Sequence, residues 1–253
     1  MTRSRYCGLG LLYLFLYLPV LVFVLFSFNR LPPPLQWVGF TFRWYRELAH
    51  DAPLWGAFGH SCLVAAFSTL ISSGLTLLFL FLRAHREKAR KALPLFYGAI
   101  LVPETLVAVS LLMTFHFFEL DLGILSLIIA HTVLGLGFMA PMLYHRYCQL
   151  DPHLGEASEV LGASKASTFL RITLPLISPS LFTTACLVFI FSFDDVILAY
   201  FCSGRSAPTL PLYLITMLRN GLSPAVYALF SLLLFINVCL LGIFTMLRGR
   251  QVK

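Results

Sequence analysis

Three acidic residues interrupt apolar stretches of this 253-residue sequence: Glu104, Asp194 and Asp195. A charge at the centre of a bilayer costs about 2.5–3.5 kcal/mol on insertion scales, so such residues usually face a bundle interior or a wet cavity. Three carboxylates without a basic partner in those stretches would suit a cationic ligand. The alternative for the Asp pair is structural, because it falls towards the outer end of its stretch, where it would cap or hydrate a helix end.

The stretches that hold these acids belong to a strongly apolar chain, which is 59% hydrophobic and only 11% charged. Soluble domains carry about 25% charged residues, so the composition indicates an integral membrane protein. A helix needs about 20 apolar residues to cross the hydrocarbon core, and only helices satisfy the backbone of such runs in lipid. We therefore expect an all-α, polytopic fold in a single domain, residues 1–253. Its six predicted spans are 8–28, 56–82, 93–118, 122–144, 176–201 and 223–247.

The distribution of lysine and arginine predicts the orientation in the membrane. Most of the 18 such residues lie before the first span, between the second and third, between the fourth and fifth, and after the sixth. These segments, including both termini, are therefore expected in the cytoplasm. No small-residue cleavage site closes the first stretch, so we expect it to be a retained span and not a signal peptide.

The chain shows no signature of catalytic or metal chemistry of its own. Its six cysteines form no CxxC pair and are interpreted as small apolar residues, so neither a metal site nor a disulfide framework is expected. His60, His116 and His131 are isolated in separate spans and are interpreted as hydrogen-bonding core residues. The run 162–167 lacks the order of a phosphate-binding loop. No cofactor is expected in this chain.

The connection between the fourth and fifth spans predicts a helix–turn–helix. Asp151-Pro152 is typical of a helix start. Gly162 suits the left-handed position at a helix end, and Ser164 can cap a second short helix. Pro175 disfavours helix at Leu174 and would start the fifth span. Helices this short are marginal alone in water, so a partner protein or the lipid headgroups must cover their apolar faces.

Within this connection, the residues Glu156-Ala157-Ser158, Gly162 and Ile172-Thr173-Leu174-Pro175 follow the spacing EAA-x3-G-x9-I-x-LP. The pattern resembles the cytoplasmic coupling loop of the permease subunits of bacterial ABC importers. That resemblance implies the type I ABC importer permease fold, in which this segment, here residues 149–175 and called the coupling loop, fits a groove on an ATP-binding subunit. Ser158 stands where the family has Ala and keeps the residue small. The resemblance assigns ATPase coupling to Glu156, Ala157, Ser158, Gly162, Ile172, Leu174 and Pro175.

The same resemblance implies the partners. Two ATP-binding subunits would bind ATP and Mg, and a second, homologous permease would complete the pore, because an ATPase dimer offers two grooves and this chain has one coupling loop. A periplasmic binding protein would deliver the substrate. The chain would then be a non-catalytic subunit in the bacterial inner membrane.

A narrower resemblance concerns the acids. Three segments are similar to the spermidine/putrescine (PotC-like) permease family: Val102-Pro103-Glu104, Ser192-Phe193-Asp194-Asp195-Val196 and Thr209-Leu210-Pro211-Leu212. Carboxylates pair with ammonium groups, and an aromatic face attracts cations. The resemblance implies polyamine binding by Trp44, Glu104, Ser192, Asp194 and Asp195, although the family often has Asp in place of Glu104. For Trp44 the alternative is the ordinary aromatic belt at the membrane interface.

Other functions stay open at this point. The chain could serve an importer for an aminophosphonate or a metal ion, although carboxylates without basic partners argue against an anion. A secondary transporter would move protons through Glu104 or the Asp pair, and it would leave the coupling loop without a purpose. A non-transporting scaffold would tolerate neutral residues at Asp194 and Asp195.

Overall fold

In a computed structural model, the chain is described over residues 2–30, 36–82, 86–219, 221 and 224–235, without the side chains of residues 2–10 and 86–90. The regular structure of these residues is helical, and one isolated bridge joins Asn29 to Phe40. The predicted all-α class is therefore confirmed for this part of the chain. The helices are α1 (Thr2–Phe26), α2 (Arg43–Ala49), α3 (Ala52–Leu82), α4 (Arg86–Leu101), α5 (Glu104–Phe117), α6 (Ile124–Cys148), α7 (His153–Val160), α8 (Lys165–Thr168), α9 (Leu174–Phe193), α10 (Ile197–Cys202), α11 (Leu210–Arg219) and α12 (Pro224–Phe235).

Three helices in the described ranges are long and apolar enough to cross a membrane: Ala52–Leu82, Ile124–Cys148 and Lys165–Phe193. The last joins α8 and α9 through a π-helical turn, Phe169–Thr173. Taken together as one bent span, α4 and α5 are also long and apolar enough to cross a membrane. The described residues then contain four candidate spans. The apolar parts of α1 and α12 are shorter, and most of the predicted span 223–247 lies outside the described residues. Six spans therefore remain a prediction.

The third predicted span, 93–118, is broken in the structure. Helix α4 ends at Leu101 and α5 begins at Glu104, with a bend of 101° between them. The cause is local: Pro103 disfavours helical backbone at the preceding residue, and it is itself extended at φ −52° and ψ 132°. The span is therefore bent, and the break places the start of α5 in the interior of the span.

The described residues form two compact units, of which the larger is Trp55–Tyr213. Helix α6 lies at its centre and packs against α4, α9 and α10. At Gly135 on α6, an added Cβ would lie 2.5 Å from Ser72 Oγ and 3.0 Å from Val188 Cγ1. Glycine therefore lets α3 and α9 approach α6 closely, as small residues do in membrane helix bundles.

The other unit comprises Met1–Leu54 and Leu214–Lys253. The Tyr45 hydroxyl on α2 lies 2.7 Å from Ser27 Oγ, just after α1, and 2.6 Å from Ser231 Oγ on α12. These hydrogen bonds link the three helices. Buried Asn29 organises the segment that follows α1, and its side chain bonds to the backbone of Gln36 and Val38. The single-domain organisation remains a prediction.

Candidate functional site

A cavity of about 700 Å³ lies in the larger unit, where two helices are broken. Its wall is formed by the end of α4, the α4–α5 break, the middle of α6, the end of α9 and the α9–α10 break. Four of the five residues predicted to bind substrate line it, and in the described structure its lining contains no lysine or arginine. The polar lining residues are Glu104, His131, Ser192, Asp194 and Asp195.

Asp195 lies in the second break, where α9 ends at Phe193 and α10 begins at Ile197. Its Oδ1 accepts the backbone N–H groups of Leu198 at 2.8 Å and Ala199 at 3.3 Å. These bonds satisfy donors at the start of α10, as a capping side chain does. Asp195 therefore has the structural role that the sequence left open for the Asp pair, and the predicted span 176–201 is interrupted at this point.

Glu104 is the first residue of α5, and it faces Asp195 because α5 packs against α10. Both side chains line the same cavity, and the two acids lie close enough to interact electrostatically. Both also lie at helix N-termini, whose positive dipole ends favour negative charge. Two ionised carboxylates this close repel each other, so the pair holds best with a proton or a cation between them.

Asp194 also lines the cavity, and its exposed side chain follows the end of α9. Its backbone N–H closes the last turn of that helix on the Ile190 carbonyl at 3.0 Å. Since Asp194 caps no helix through its side chain in the described structure, its carboxylate remains available to a ligand.

Ser192 is buried, and its hydroxyl is already engaged within the protein. Its Oγ lies 2.8 Å from His131 Nδ1 and 3.2 Å from Ser68 Oγ. The interpretation of His131 as a hydrogen-bonding core residue is confirmed, but His131 also belongs to the cavity wall, which sequence reasoning missed. The 61 positions between His131 and Ser192 leave no local signal that would join them.

Trp44 belongs to the other unit. Its indole N–H donates to the Asn29 carbonyl at 2.7 Å, which fixes the ring against the segment after α1. The Arg43 guanidinium lies over the ring at 5.4 Å from its centroid, so this ring already has a cationic partner. Arg43 in turn bonds to Glu47 at 2.6 Å. The polyamine-binding role of Trp44 stays a prediction.

The first half of the coupling loop folds as the sequence predicts. Asp151 Oδ1 accepts the N–H of His153 at 2.9 Å, at the start of α7. Gly162 has the left-handed φ of +82°, and Ser164 Oγ accepts the N–H of Ser167 at 3.3 Å to cap α8. The predicted helix start, left-handed glycine and second cap are therefore confirmed.

The second half of the loop differs from the prediction. Leu174 is helical, with φ −60° and ψ −46°, and its N–H reaches back five residues to the Phe169 carbonyl. Because Pro175 has no N–H for the carbonyl of Arg171, the wider π turn accommodates the proline without ending the helix. The predicted break at Leu174 was wrong, and α8 continues into α9.

The motif residues of the coupling loop have different surroundings. Ser158 is buried, and its Oγ lies 2.9 Å from Thr168 Oγ1 on α8. Glu156 is exposed and pairs with His153 at 3.1 Å. A cavity of about 630 Å³ lies between the loop and the ends of α3 and α6, and Glu156 and Ile172 line it. Ala157 and Pro175 are exposed, whereas Ile172 and Leu174 are half-buried.

The profile of the family described as "Binding-protein-dependent transport system inner membrane component" matches residues 2–253. The chain belongs to this family. It is therefore a non-catalytic, multi-pass permease subunit of an ABC importer of the inner membrane, as the coupling-loop motif predicted.

Curated relatives of the permease cover most of its length. It is 32% identical to the spermidine/putrescine transport system permease protein PotC of Haemophilus influenzae over 231 residues, 90% of each chain. It is 35% identical to PotC of Escherichia coli K12, over 90% of this chain and 87% of that protein. The putrescine transport system permease protein PotI of E. coli is 33% identical, over 87% and 82%. The resemblance to the spermidine/putrescine permease family is confirmed.

The fold of the permease is also that of a solved transporter. It matches a chain in the crystal structure of a bacterial ABC transporter involved in the import of the acidic polysaccharide alginate, with a TM-score of 0.71. The match covers 97% of this chain and 95% of the other at 15% identity. At that identity the likeness concerns the fold alone, and it confirms the ABC importer permease fold.

Proposed function

We propose that this permease forms half of the translocation pore of an ATP-driven importer for polyamines such as spermidine and putrescine. The observation that carries the proposal is that Glu104, Asp194 and Asp195 meet in the wall of one cavity. A protonated amine between them would relieve the repulsion of the carboxylates and neutralise charge that is costly within a membrane.

The rest of the cavity also suits a polyamine, which is a chain of ammonium groups separated by methylenes. Asp194 adds a carboxylate for a further ammonium group. Apolar side chains cover most of the wall, and the Phe138 and Phe191 rings lie 4.8 Å apart there. Aromatic faces pack methylenes and attract cations. A negatively charged substrate would meet three acids and no lysine or arginine in the described lining.

The rival substrates have less support. The described residues include no group of three or more His, Cys, Asp or Glu that could hold a metal ion. An aminophosphonate would need a donor for its phosphonate oxygens, which the carboxylates do not supply. A proton-driven secondary transporter would use the same acids, but membership in the binding-protein-dependent family favours an ATP-driven importer.

In this proposal, the coupling loop binds the ATPase. Val160 and Leu161 lie together at its tip and are 86% and 87% exposed. Apolar residues this exposed on short helices need a partner, and a groove on the ATP-binding subunit would cover them. The proposed coupling residues include Ser158, which joins the two helices of the loop. The others are Glu156, Ala157, Gly162, Ile172, Leu174 and Pro175.

The proposed mechanism is alternating access. The helix Lys165–Phe193 runs without a break from the coupling loop to Ser192 and the edge of the cavity. Closure of two ATPase subunits around ATP and Mg would move the loop, and this helix would carry the movement to the acids. The pore would turn outward, accept the amine from a periplasmic binding protein, and turn inward after hydrolysis.

The proposal includes the assembly and topology. A second, homologous permease, two ATP-binding subunits and a periplasmic binding protein complete the transporter. The chain crosses the inner membrane six times as a single domain, with both termini and the coupling loop in the cytoplasm. The excess of lysine and arginine on those segments supports this orientation.

The decisive test is uptake of radiolabelled spermidine and putrescine into vesicles that contain the complete transporter. Wild type is compared with Glu104→Gln, with the double variant Asp194→Asn/Asp195→Asn, and with Asp121→Asn, an exposed acid outside the cavity. We expect ATP-dependent uptake in wild type and Asp121→Asn and its loss in the cavity variants. If neither amine enters while the binding protein still stimulates ATP hydrolysis, the polyamine proposal is wrong. Uptake without ATP would favour a secondary transporter.

A further inference from the structure

We propose that His131 is a further substrate-contacting residue, whose Nε2 accepts a hydrogen bond from an ammonium group of the amine in the cavity. The inference rests on the proposed function, since it adds a residue to the same cavity. His131 lines the cavity and is only 3% exposed. Its Nε2 is buried and has no hydrogen-bond partner among the described residues. A buried polar atom of this kind is rare in native structures and points to an absent partner.

One arrangement of protons in the hydrogen bonds behind His131 places the ring proton on Nδ1, and we adopt this arrangement. Ser68 donates its single hydroxyl proton to the Ala65 carbonyl at 3.2 Å, because a carbonyl can only accept. With that proton on the Ala65 carbonyl, Ser68 accepts in its contact of 3.2 Å with Ser192. The Ser192 proton is thereby used, so Ser192 accepts from His131 Nδ1–H at 2.8 Å.

This direction leaves His131 Nε2 with a lone pair and without a proton in the neutral ring. Such a nitrogen accepts a hydrogen bond from an ammonium group and has nothing to donate to an anion. The carboxylates of Glu104, Asp194 and Asp195 are acceptors as well. The described polar wall therefore presents acceptors, and the relay from Ala65 through Ser68 and Ser192 gives the histidine the tautomer that a cation requires.

The first test compares two amides in place of the ring, again in vesicles with the complete transporter. In His131→Gln the amide reaches the position of Nε2, whereas in His131→Asn it reaches only the position of Nδ1. A bond to a charged group is worth enough that its loss raises KM by about tenfold or more. We expect that increase in KM for putrescine in His131→Asn, and a smaller one in His131→Gln.

The opposite order would overturn the inference, because a residue that only positions Ser192 would be replaced better by asparagine. Equal KM values in wild type and His131→Asn would overturn it as well. Each outcome is distinct from failure of the proposed function, in which wild type itself takes up neither amine and both proposals fall.

A second test leaves His131 in place and reverses its tautomer. Ser68 does not line the cavity. In Ser68→Ala, the Ser192 hydroxyl loses its acceptor and would donate to Nδ1, which moves the ring proton to Nε2. We expect KM for putrescine to rise by about tenfold. Ser73→Ala is the matched control, since among the described residues its hydroxyl bonds only to the Thr69 carbonyl of its own helix. An unchanged KM in Ser68→Ala would overturn the relay, even if both His131 variants failed to assemble.

Discussion

Ser158 Oγ lies 2.9 Å from Thr168 Oγ1, so a hydrogen bond joins the two helices of the coupling loop across the turn at Gly162. Ser158 is 6% exposed, although it stands in a loop whose surface is otherwise largely open. The small residue at this motif position therefore lets α7 and α8 pack together, in addition to any contact with the ATPase. The hydroxyl of Thr168 has a second partner in the Ser164 carbonyl at 3.2 Å.

From this arrangement we predict that Ser158→Ala keeps transport close to wild type, while Ser158→Leu abolishes it. Alanine removes the hydrogen bond to Thr168, which is worth about 1 kcal/mol, and leaves Thr168 bonded to the Ser164 carbonyl. Leucine cannot fit at a buried contact without separating the helices. Coupling in the two variants is measured as binding-protein-stimulated ATP hydrolysis in vesicles. Activity in Ser158→Leu equal to wild type would show that the helices need not pack closely.

Gly162 is required for its backbone conformation and not for lack of space. Its φ is +82°, and an added Cβ would meet nothing within 4 Å. We predict that Gly162→Ala destabilises the loop by about 1–2 kcal/mol, and that Gly162→Asn is milder because Asn visits the left-handed region. Gly155→Ala is the matched control: it also has open space around the Cβ, but it lies inside α7, where alanine is favoured.

The readout for these glycines is stimulated ATP hydrolysis together with the thermal unfolding temperature of the assembled transporter. We expect hydrolysis to fall in the order wild type, Gly162→Asn, Gly162→Ala, with Gly155→Ala unchanged. If Gly162→Ala couples as well as Gly155→Ala, the left-handed turn has no role in coupling.

The two roles of Asp195 can be separated by two substitutions. Asp195→Asn keeps an oxygen for the N–H groups of Leu198 and Ala199 but removes the charge. Asp195→Ala removes the cap as well, which costs about 1 kcal/mol of stability. We predict that both variants lose polyamine uptake, while only Asp195→Ala unfolds at a lower temperature. Normal uptake in Asp195→Asn would mean that Asp195 only caps α10.

Pro175 maintains the π turn, so its removal should change the coupling. In Pro175→Ala the new N–H can bond to the Arg171 carbonyl, and the turn Phe169–Thr173 can become α-helical. When the five-residue turn is rewound with α-helical bonds, one further residue of helix is wound, which rotates the loop relative to α9 by about 100°. We predict intact assembly but fewer amines transported per ATP hydrolysed. A ratio equal to that of wild type would show that the π turn is dispensable.

Local signals account for the parts of the structure that the sequence predicted well. Asp151, Gly162 and Ser164 act on neighbours within a few positions, so their residue types suffice to place helix ends. The break before Glu104 also had a local signal in Pro103, but the apolar composition of the stretch outweighed it. Proline disfavours helix at the residue before it, which predicted a break at Leu174 before Pro175. That break did not occur, because the π turn accommodates the missing N–H of the proline.

The composition of the cavity could be predicted only in part. Motif resemblance indicated Glu104, Asp194 and Asp195, all of which line the cavity. No residue pattern indicates that Glu104 faces Asp195, since their proximity depends on how α5 packs against α10. The same holds for His131, whose connection to Ser192 and Ser68 crosses three helices. Tertiary packing, which a single sequence does not encode in any local pattern, brings these groups together.

The unbroken helix Lys165–Phe193 has 29 residues and therefore a length of about 43 Å. As a lever, it would turn a tilt of about 5° at the coupling loop into a displacement of about 4 Å at its far end, by the same rise per residue. A displacement of that size exceeds the reach of a hydrogen bond. Asp194 follows the last residue of this helix, whereas Glu104 belongs to another. A small tilt at the coupling loop would therefore be enough to separate Asp194 from Glu104 and to release an amine bound between them.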